Sequence, residues 1–356
     1  MSQITKNQHF VPRMLIKHFS DGEEVLNVYD SKRNISRPPT TVNRVLSENY
    51  FYDTDNLVEN FLAKNVEKPA APILQNIVDN PTEAIICNKA DLLRFITVQL
   101  SRTPSALSST LKNIDNFTSY LIGRIGQLNG FDEEITNNIK LVLKNPKIVL
   151  GRQTVEGSLI WPLLDDLNWH VLINKTDTSF VISDHPVAYY NWYLRNSNKL
   201  AYTSLTSCGL QVFLPVSSSI TLCLYDHKIY KFGDKQSHFS YVDKLSDVLL
   251  LNELQFRSRE SFVVYESVEQ TDYVIKSCQK FPASSLHQSR SCASNSESSE
   301  NDELKSIHVS YRTQFGFGRW LSMSKIKRRI NKKTIECYDR NPIIVEGYKG
   351  FIKEVR

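Results

Sequence analysis

A chain of 356 residues with 41% hydrophobic and 23% charged residues has the composition of an ordinary globular protein. No apolar run approaches the roughly 20 residues that cross a bilayer, so neither a membrane-spanning helix nor a membrane partner is predicted. The formal net charge is +5, but residues 306–356 hold 12 Lys and Arg against 4 Asp and Glu. The positive charge is therefore concentrated near the C-terminus.

The N-terminus and the cysteines favour a cytoplasmic protein. The first residues show no basic patch followed by an apolar stretch, so no export signal is predicted. The cysteines lack the short paired spacings of disulfide frameworks and zinc sites. They lie at Cys87, Cys208, Cys223, Cys278, Cys292 and Cys337. We expect reduced thiols.

Apolar spacing predicts an α+β fold. At the N-terminus, Pro12 suits the first position of a short helix that runs to Phe19, and residues 24–29 read as a strand. Residues 55–145 form a helical block, in which Pro69 and Pro72 end or kink the first helix near Lys68. Residues 170–173, 180–183, 210–214 and 220–224 are short β-branched runs typical of strands. Helices in one block and a sheet-rich second half favour α+β over an alternating arrangement.

The composition also predicts the domain organisation. Residues 1–280 form the main domain, and residues 281–305 form a Ser-rich linker or disordered loop. Residues 306–356 form a basic C-terminal region. There Lys325, Lys327, Arg328 and Arg329 follow Phe315, Phe317 and Trp320, a pattern in which aromatic rings stack on bases and cations neutralise phosphates. The alternative is a solvated tail, or a segment that folds back on the body.

Ionisable residues in the main domain can carry chemistry. His9 precedes the helix at Pro12, whose N-terminus favours a neutral imidazole able to act as a base; alternatively it only caps that helix. Glu59 and Glu67, eight residues apart on a helix, can border one cleft and share a cation with Asp184. Alternatively the two glutamates are surface carboxylates paired with lysines.

Two further pairs lie near element ends. Gln99 and Arg102 share a helix face before Pro104, where the guanidinium can clamp a phosphate or pair internally with Glu59 or Glu67. Asp184 and His185 follow a strand and precede a proline, a position typical of reactive loops and equally of an aspartate-capped turn.

Several of these elements together resemble a widespread, mainly bacterial family known as domain of unknown function 4238, over residues 8–265. The elements are Gln8-His9-Phe10-Val11-Pro12-Arg13 with Phe19, Glu59 and Glu67, Gln99 with Arg102-Thr103-Pro104, Ser183-Asp184-His185-Pro186, and Phe213-Leu214-Pro215-Val216-Ser217. The family usually has Asn where this chain has His185, so no role passes to that side chain. The resemblance implies no particular activity.

The predicted function is a metal-dependent phosphodiester hydrolase acting on nucleic acid. His9, Glu67, Arg102 and Asp184 are the predicted catalytic residues, and Glu59, Glu67 and Asp184 the ligands of a divalent cation, Mg²⁺ or Mn²⁺. Substrate contacts are assigned to Gln8, Arg13, Gln99, His185, Lys327, Arg328 and Arg329. The alternative is a non-catalytic module that binds nucleic acid or protein, with the polar motif residues forming a structural network.

Overall fold

After four N-terminal strands, the chain forms a helical block and then a sheet-rich half, and the predicted α+β class is confirmed. The computed structural model describes residues 5–20, 22, 25–196, 204–234, 237–283, 287–294, 305–312, 316–330 and 337–347. About half of the predicted linker lies outside these ranges, and residues 287–294 of it form a strand paired with residues 305–312. None of the helices within them is long and apolar enough to cross a membrane.

The helices confirm the predicted block, and three of those described lie after it. In chain order they are α1 (Arg13–Ile16), α2 (Leu57–Leu62), α3 (Lys68–Asp79), α4 (Lys89–Ser101), α5 (Pro104–Leu128), α6 (Glu133–Asn137), α7 (Pro146–Gly157), α8 (Leu245–Ser258) and α9 (Thr271–Lys280). Helix α8 was not predicted. It is buried on most sides, including Asn252 and Gln255, and so lacks the polar stripe that marks a surface helix.

A π-helical segment joins α2 to α3. It covers Ala63–Glu67, and α3 follows without a break. Pro69 and Pro72, which lack the backbone N–H of other residues, both lie within this continuous helix. The predicted interruption near Lys68 is therefore a change of helical pitch and not an end.

Within the described ranges, the strands form two larger sheets and three two-stranded ribbons. They are β1 (Asn7–His9), β2 (Val25–Asp30), β3 (Ile35–Thr41), β4 (Ser47–Asn49), β5 (Asn168–Asn174), β6 (Ile182–Ser183), β7 (Ala188–Tyr190), β8 (Gln211–Pro215), β9 (Ile220–Tyr225), β10 (Tyr230–Phe232), β11 (Phe239–Val242), β12 (Phe262–Tyr265), β13 (His287–Ser294), β14 (Lys305–Arg312) and β15 (Ser324–Ile326). The larger sheets have the orders β11-β5-β9-β8-β7 and β3-β2-β12-β6. The ribbons are β1-β4, β10-β15 and β13-β14.

The five-stranded sheet is buried on both faces. Along β5, Val171 and Ile173 join the core cluster shared with the helical block, whereas Leu172 between them joins a second cluster with α8. A strand covered on both sides has an almost continuous apolar sequence, which is why the sequence identified these strands. The second cluster also contains Trp320 and Leu321, so the segment before β15 belongs to the body.

Candidate functional site

The N-terminal strand β1 is tied into the helical block through Gln8. The Gln8 side chain is fully buried. Its Oε1 accepts a hydrogen bond from the Tyr52 N–H at 2.8 Å, and its Nε2 donates to the Asp53 carbonyl at 3.1 Å. Both ends of this amide, predicted to contact substrate, are occupied by the loop before α2.

Arg102 caps the C-terminal end of α4 and is 1% exposed. Its Nη2 donates to the His9 carbonyl at 2.5 Å, and its Nη1 donates to Glu67 Oε1 at 2.7 Å. Its Nε donates to the Tyr52 hydroxyl at 2.8 Å. Burial opposes the charge, but Tyr52 and Glu67 outweigh it and raise the pKa of Arg102. Of the two interpretations of Arg102, the structure shows the internal ion pair.

Gln99 acts beside Arg102 on the same helix face. Its Nε2 donates to the Phe10 carbonyl at 2.7 Å. Arg102 and Gln99 thus hold consecutive carbonyls of the N-terminal segment, those of His9 and Phe10. Because a buried carbonyl without a partner is costly, this pair fixes the path of the chain where β1 leads into α1.

The π segment brings Glu59 and Glu67 to one side of the helix. A π turn holds one more residue than an α turn, so an eight-residue spacing that includes it closes to about two turns. The two carboxylates and Arg102 influence one another electrostatically. Burial, with help from Glu67 and against the effect of Arg102, raises the pKa of Glu59 to about 7. Glu59 Oε2 is buried and has no hydrogen-bond partner.

His9 lies in the same group and is neutral. Its Nε2 lies 3.4 Å from the Val42 carbonyl, which can only accept, so this nitrogen carries the proton. Burial is the main cause that lowers the pKa of His9 to about 4, while the Val42 hydrogen bond opposes it. Arg13, which donates to Asn43 Oδ1 at 2.8 Å, also lowers it. We call His9, Arg13, Glu59, Glu67 and Arg102 the His9 cluster.

Asp184 does not join the His9 cluster. Its Oδ1 accepts the Glu260 N–H at 2.8 Å, and its Oδ2 accepts those of Ser261 and Phe262 at 2.7 and 3.0 Å. Burial outweighs these bonds and raises the pKa of Asp184 to about 6. Its oxygens are thus committed to the start of β12.

The predicted cation ligands Glu59, Glu67 and Asp184 are consequently not brought together. Among the described residues, no group of three or more His, Cys, Asp and Glu side chains has an arrangement that can hold a metal ion. Two of the three, Glu59 and Glu67, remain neighbours on one helix face. They offer two carboxylates and no third ligand of these types.

His185 links the loop after β6 to the start of α5. Its Nδ1 lies 2.6 Å from the hydroxyl of Thr103, which also caps α5 by accepting the Ala106 N–H. The Thr103 hydroxyl proton is therefore free to be donated to Nδ1. Both side chains are buried. The His185 side chain, like that of Asp184, therefore holds two segments of the fold together.

A cavity of about 380 Å³ lies beside Asp184 and Pro104. Its lining carries both signs of charge. Lys32 pairs with Glu260 at 2.6 Å, and Arg37 pairs with Asp30 at 2.8 Å. Because its cations are largely matched by carboxylates, the cavity does not present an anion-binding surface.

Within the predicted basic region, residues 324–330 form a strand and a turn that lie on the body. Strand β15 pairs antiparallel with β10, and Lys325 lies directly opposite Lys231. Both side chains are exposed. The Lys327 N–H donates to the Ile229 carbonyl at 2.9 Å, and the Ile330 N–H closes a turn on the Lys327 carbonyl at 3.0 Å. The arginines of that turn, at positions 328 and 329, are exposed.

Sequence reasoning missed the other half of this ribbon. Lys231 alternates with the buried Tyr230 and Phe232, and Lys228 lies in the turn before β10. Period-two alternation was the available signal. We call Lys228, Lys231, Lys325, Lys327, Arg328 and Arg329 the basic ribbon.

The basic ribbon contains little counter-charge. The ion pairs within the described part of the chain do not include Lys228, Lys231, Lys325, Arg328 or Arg329. Asp226, close in sequence, is buried and accepts the N–H groups of Gly209 and Lys228. Asp234 is exposed after Gly233, past the far end of β10.

Comparison with known proteins gives a family and no activity. A family model described as "Protein of unknown function (DUF4238)" matches residues 7–269. The searches of curated proteins and of solved structures returned no match. The matched range contains the His9 cluster, Gln8, Gln99, Asp184 and His185, and it ends before β15. The chain belongs to the DUF4238 family.

Proposed function

We propose that this protein binds nucleic acid through the basic ribbon. The observation that carries the proposal is the exposed Lys231–Lys325 pair, directly opposite each other on β10 and β15. Like charges at opposed positions destabilise an antiparallel pair. A polyanion lying on the ribbon removes that repulsion and releases its own counterions, which favours binding.

The neighbouring groups extend the same surface. Arg328 and Arg329 occupy the corners of the turn that follows β15, and Lys228 lies in the turn before β10. The backbone bond from Lys327 to Ile229 brings these two turns together. The backbone that carries these cations is thus held by a folded scaffold, so less backbone freedom is lost on binding.

Fluorescence anisotropy with labelled DNA and RNA tests the proposal. The double variant Lys231→Gln/Lys325→Gln is expected to weaken binding about tenfold at moderate salt, because two phosphate contacts are lost. The matched control is Lys112→Gln/Lys144→Gln, which removes the same charge from exposed positions elsewhere. Equal weakening by both variants, or binding to no probe by the parent, contradicts the proposal.

A second candidate function is phosphodiester cleavage at the His9 cluster. It is favoured by Glu59, whose Oε2 is buried without a partner and whose pKa is raised to about 7. A carboxyl poised near neutral pH can take a proton from an attacking water and return it to the leaving oxygen. Glu67 is held beside Arg102. Because no third side-chain ligand joins the two glutamates in the described residues, the requirement for Mg²⁺ or Mn²⁺ is left to the experiment.

Cleavage of labelled DNA and RNA, with each cation and with a chelator, tests this second candidate. Glu59→Gln keeps the shape of the side chain and removes its proton chemistry, so it is expected to abolish cleavage. Glu83→Gln, at an exposed position, is the control. An uncut substrate under all conditions, or unchanged cleavage by Glu59→Gln, rules this function out.

A further inference from the structure

The faces of β10 separate cations from aromatic rings. Tyr230 and Phe232 are 1% and 3% exposed, whereas Lys231 between them is exposed. The Tyr230 hydroxyl donates to the Gly209 carbonyl at 2.9 Å and accepts the Tyr193 N–H at 2.8 Å. Strand alternation therefore turns the rings inward and the lysine outward.

The aromatic residues before β15 are also occupied. Trp320 is 8% exposed and stacks on Tyr190 and Trp192, with ring centroids 4.7 and 5.6 Å apart. Phe317 meets Tyr190 edge-on at 5.0 Å. The expectation that Phe317 and Trp320 stack on bases is therefore not supported by their positions, and Phe315 lies outside the described residues. These rings anchor the segment that leads into the ribbon.

Charge without exposed rings favours one form of nucleic acid. Proteins that bind single strands combine cations with aromatic platforms, and each stacked base contributes substantially to affinity. A duplex keeps its bases stacked internally and presents a higher density of phosphate charge. The ribbon supplies the cations that a duplex needs. Its described strands and turns do not supply the exposed aromatic rings that stack on single-stranded bases.

Resting on the proposed nucleic-acid binding, we infer that the basic ribbon takes duplex nucleic acid through its phosphate backbone and does not read bases. Lys231 and Lys325, on one face of an antiparallel pair, have Cα atoms about 5 Å apart. Arg328 and Arg329 continue the charge from a turn closed by its own hydrogen bond. A fixed array of cations suits the regular phosphate spacing of a duplex.

The test compares duplex DNA, duplex RNA and their single strands, at equal length and in two base compositions, over a range of salt concentrations. Duplexes are expected to bind about tenfold more tightly than single strands, with little dependence on sequence. Lys231→Gln/Lys325→Gln is expected to reduce the salt slope by about 2 for duplexes of either composition. Lys112→Gln/Lys144→Gln is expected to leave the slope unchanged. The DNA and RNA arms identify which duplex is preferred.

Each contrary result has a distinct meaning. Tighter binding of single strands, or a strong preference for one base composition, overturns the duplex inference and leaves nucleic-acid binding intact. Duplex binding with an unchanged salt slope in the ribbon variant places the contact elsewhere and also overturns it. Binding to none of the probes overturns the proposed function itself.

Discussion

Arg102 Nη2 donates to the His9 carbonyl at 2.5 Å, and this contact joins the end of α4 to the N-terminal strand across 93 positions of the chain. The guanidinium also serves Tyr52 and Glu67, so one buried cation fixes three segments. A residue that looks catalytic in the sequence therefore acts first as a structural tie. The guanidinium has no exposed face that could clamp a phosphate.

Replacing Arg102 is expected to destabilise the fold. Arg102→Leu removes one of the two donors to the His9 carbonyl, which keeps the Tyr52 hydroxyl. It also leaves the Tyr52 hydroxyl without its donor and Glu67 without its cation. Breaking a buried pair of this kind lowers the free energy of unfolding by about 3 kcal/mol. Urea denaturation at neutral pH measures it.

Arg13→Leu is the matched control, because Arg13 is exposed and donates only to Asn43 among the described hydrogen bonds. A change within about 0.5 kcal/mol is expected there. Similar values for the two variants contradict the structural role of Arg102.

Glu59 is expected to make stability depend on pH. Its pKa is raised from 4.5 to about 7 in the folded state, so the folded state holds the proton more tightly than the unfolded state. This contribution to stability is fully present below pH 4.5 and is lost as the pH rises through about 7. The ionised carboxylate at pH 8 is therefore the unfavourable form.

Glu59→Gln removes that ionisation. The melting temperature of the variant relative to that of the parent should therefore be higher at pH 8 than at pH 5. Thermal unfolding at both pH values measures the gain. Glu83→Gln, at an exposed position, should show no such difference. A gain for Glu59→Gln that is equal at both pH values contradicts the perturbed carboxyl.

The sequence predicted the fold better than it predicted the site. Strands β5, β8 and β9 were readable because both of their faces are buried, which leaves apolar runs between turn residues. Helix α8 could not be predicted from apolar spacing, because its buried face includes the polar residues Asn252 and Gln255. Their side chains accept hydrogen bonds from the backbone near β6. Local patterns report burial and do not report which distant backbone a polar side chain will satisfy.

The same limit explains the site predictions. The sequence identified His9, Glu67 and Arg102, which meet, and Asp184, which does not. The chemistry of a carboxylate is visible in the sequence. The fold decides that both oxygens of Asp184 accept hydrogen bonds, from three N–H groups 76 to 78 positions later. Likewise, only strand pairing places Lys231 opposite Lys325.

Deleting the segment that carries β15 would also remove Trp320, which packs in the core. Trp320→Ala is expected to lower the free energy of unfolding by about 3 to 5 kcal/mol, because the indole packs on Tyr190, Trp192 and Phe213 in the core. Denaturant titration measures the loss. A change below about 1 kcal/mol contradicts this packing. Charge-changing variants are therefore a better test of the ribbon than deletion of residues 306–356.

Reversing one charge of the ribbon should separate stability from binding. Lys325→Glu turns the pair with Lys231 into an opposite-charge pair, which is expected to raise the free energy of unfolding by about 0.2 to 1 kcal/mol. The same change places a carboxylate against the phosphates, so affinity for nucleic acid should fall. Denaturation and anisotropy on one sample measure both effects.

Lys112→Glu, at an exposed position on α5, is the control for the added charge. If Lys325→Glu destabilises the fold, Lys231 and Lys325 do not repel each other. If it is stabilising but binding is unchanged, the pair is not the contact surface.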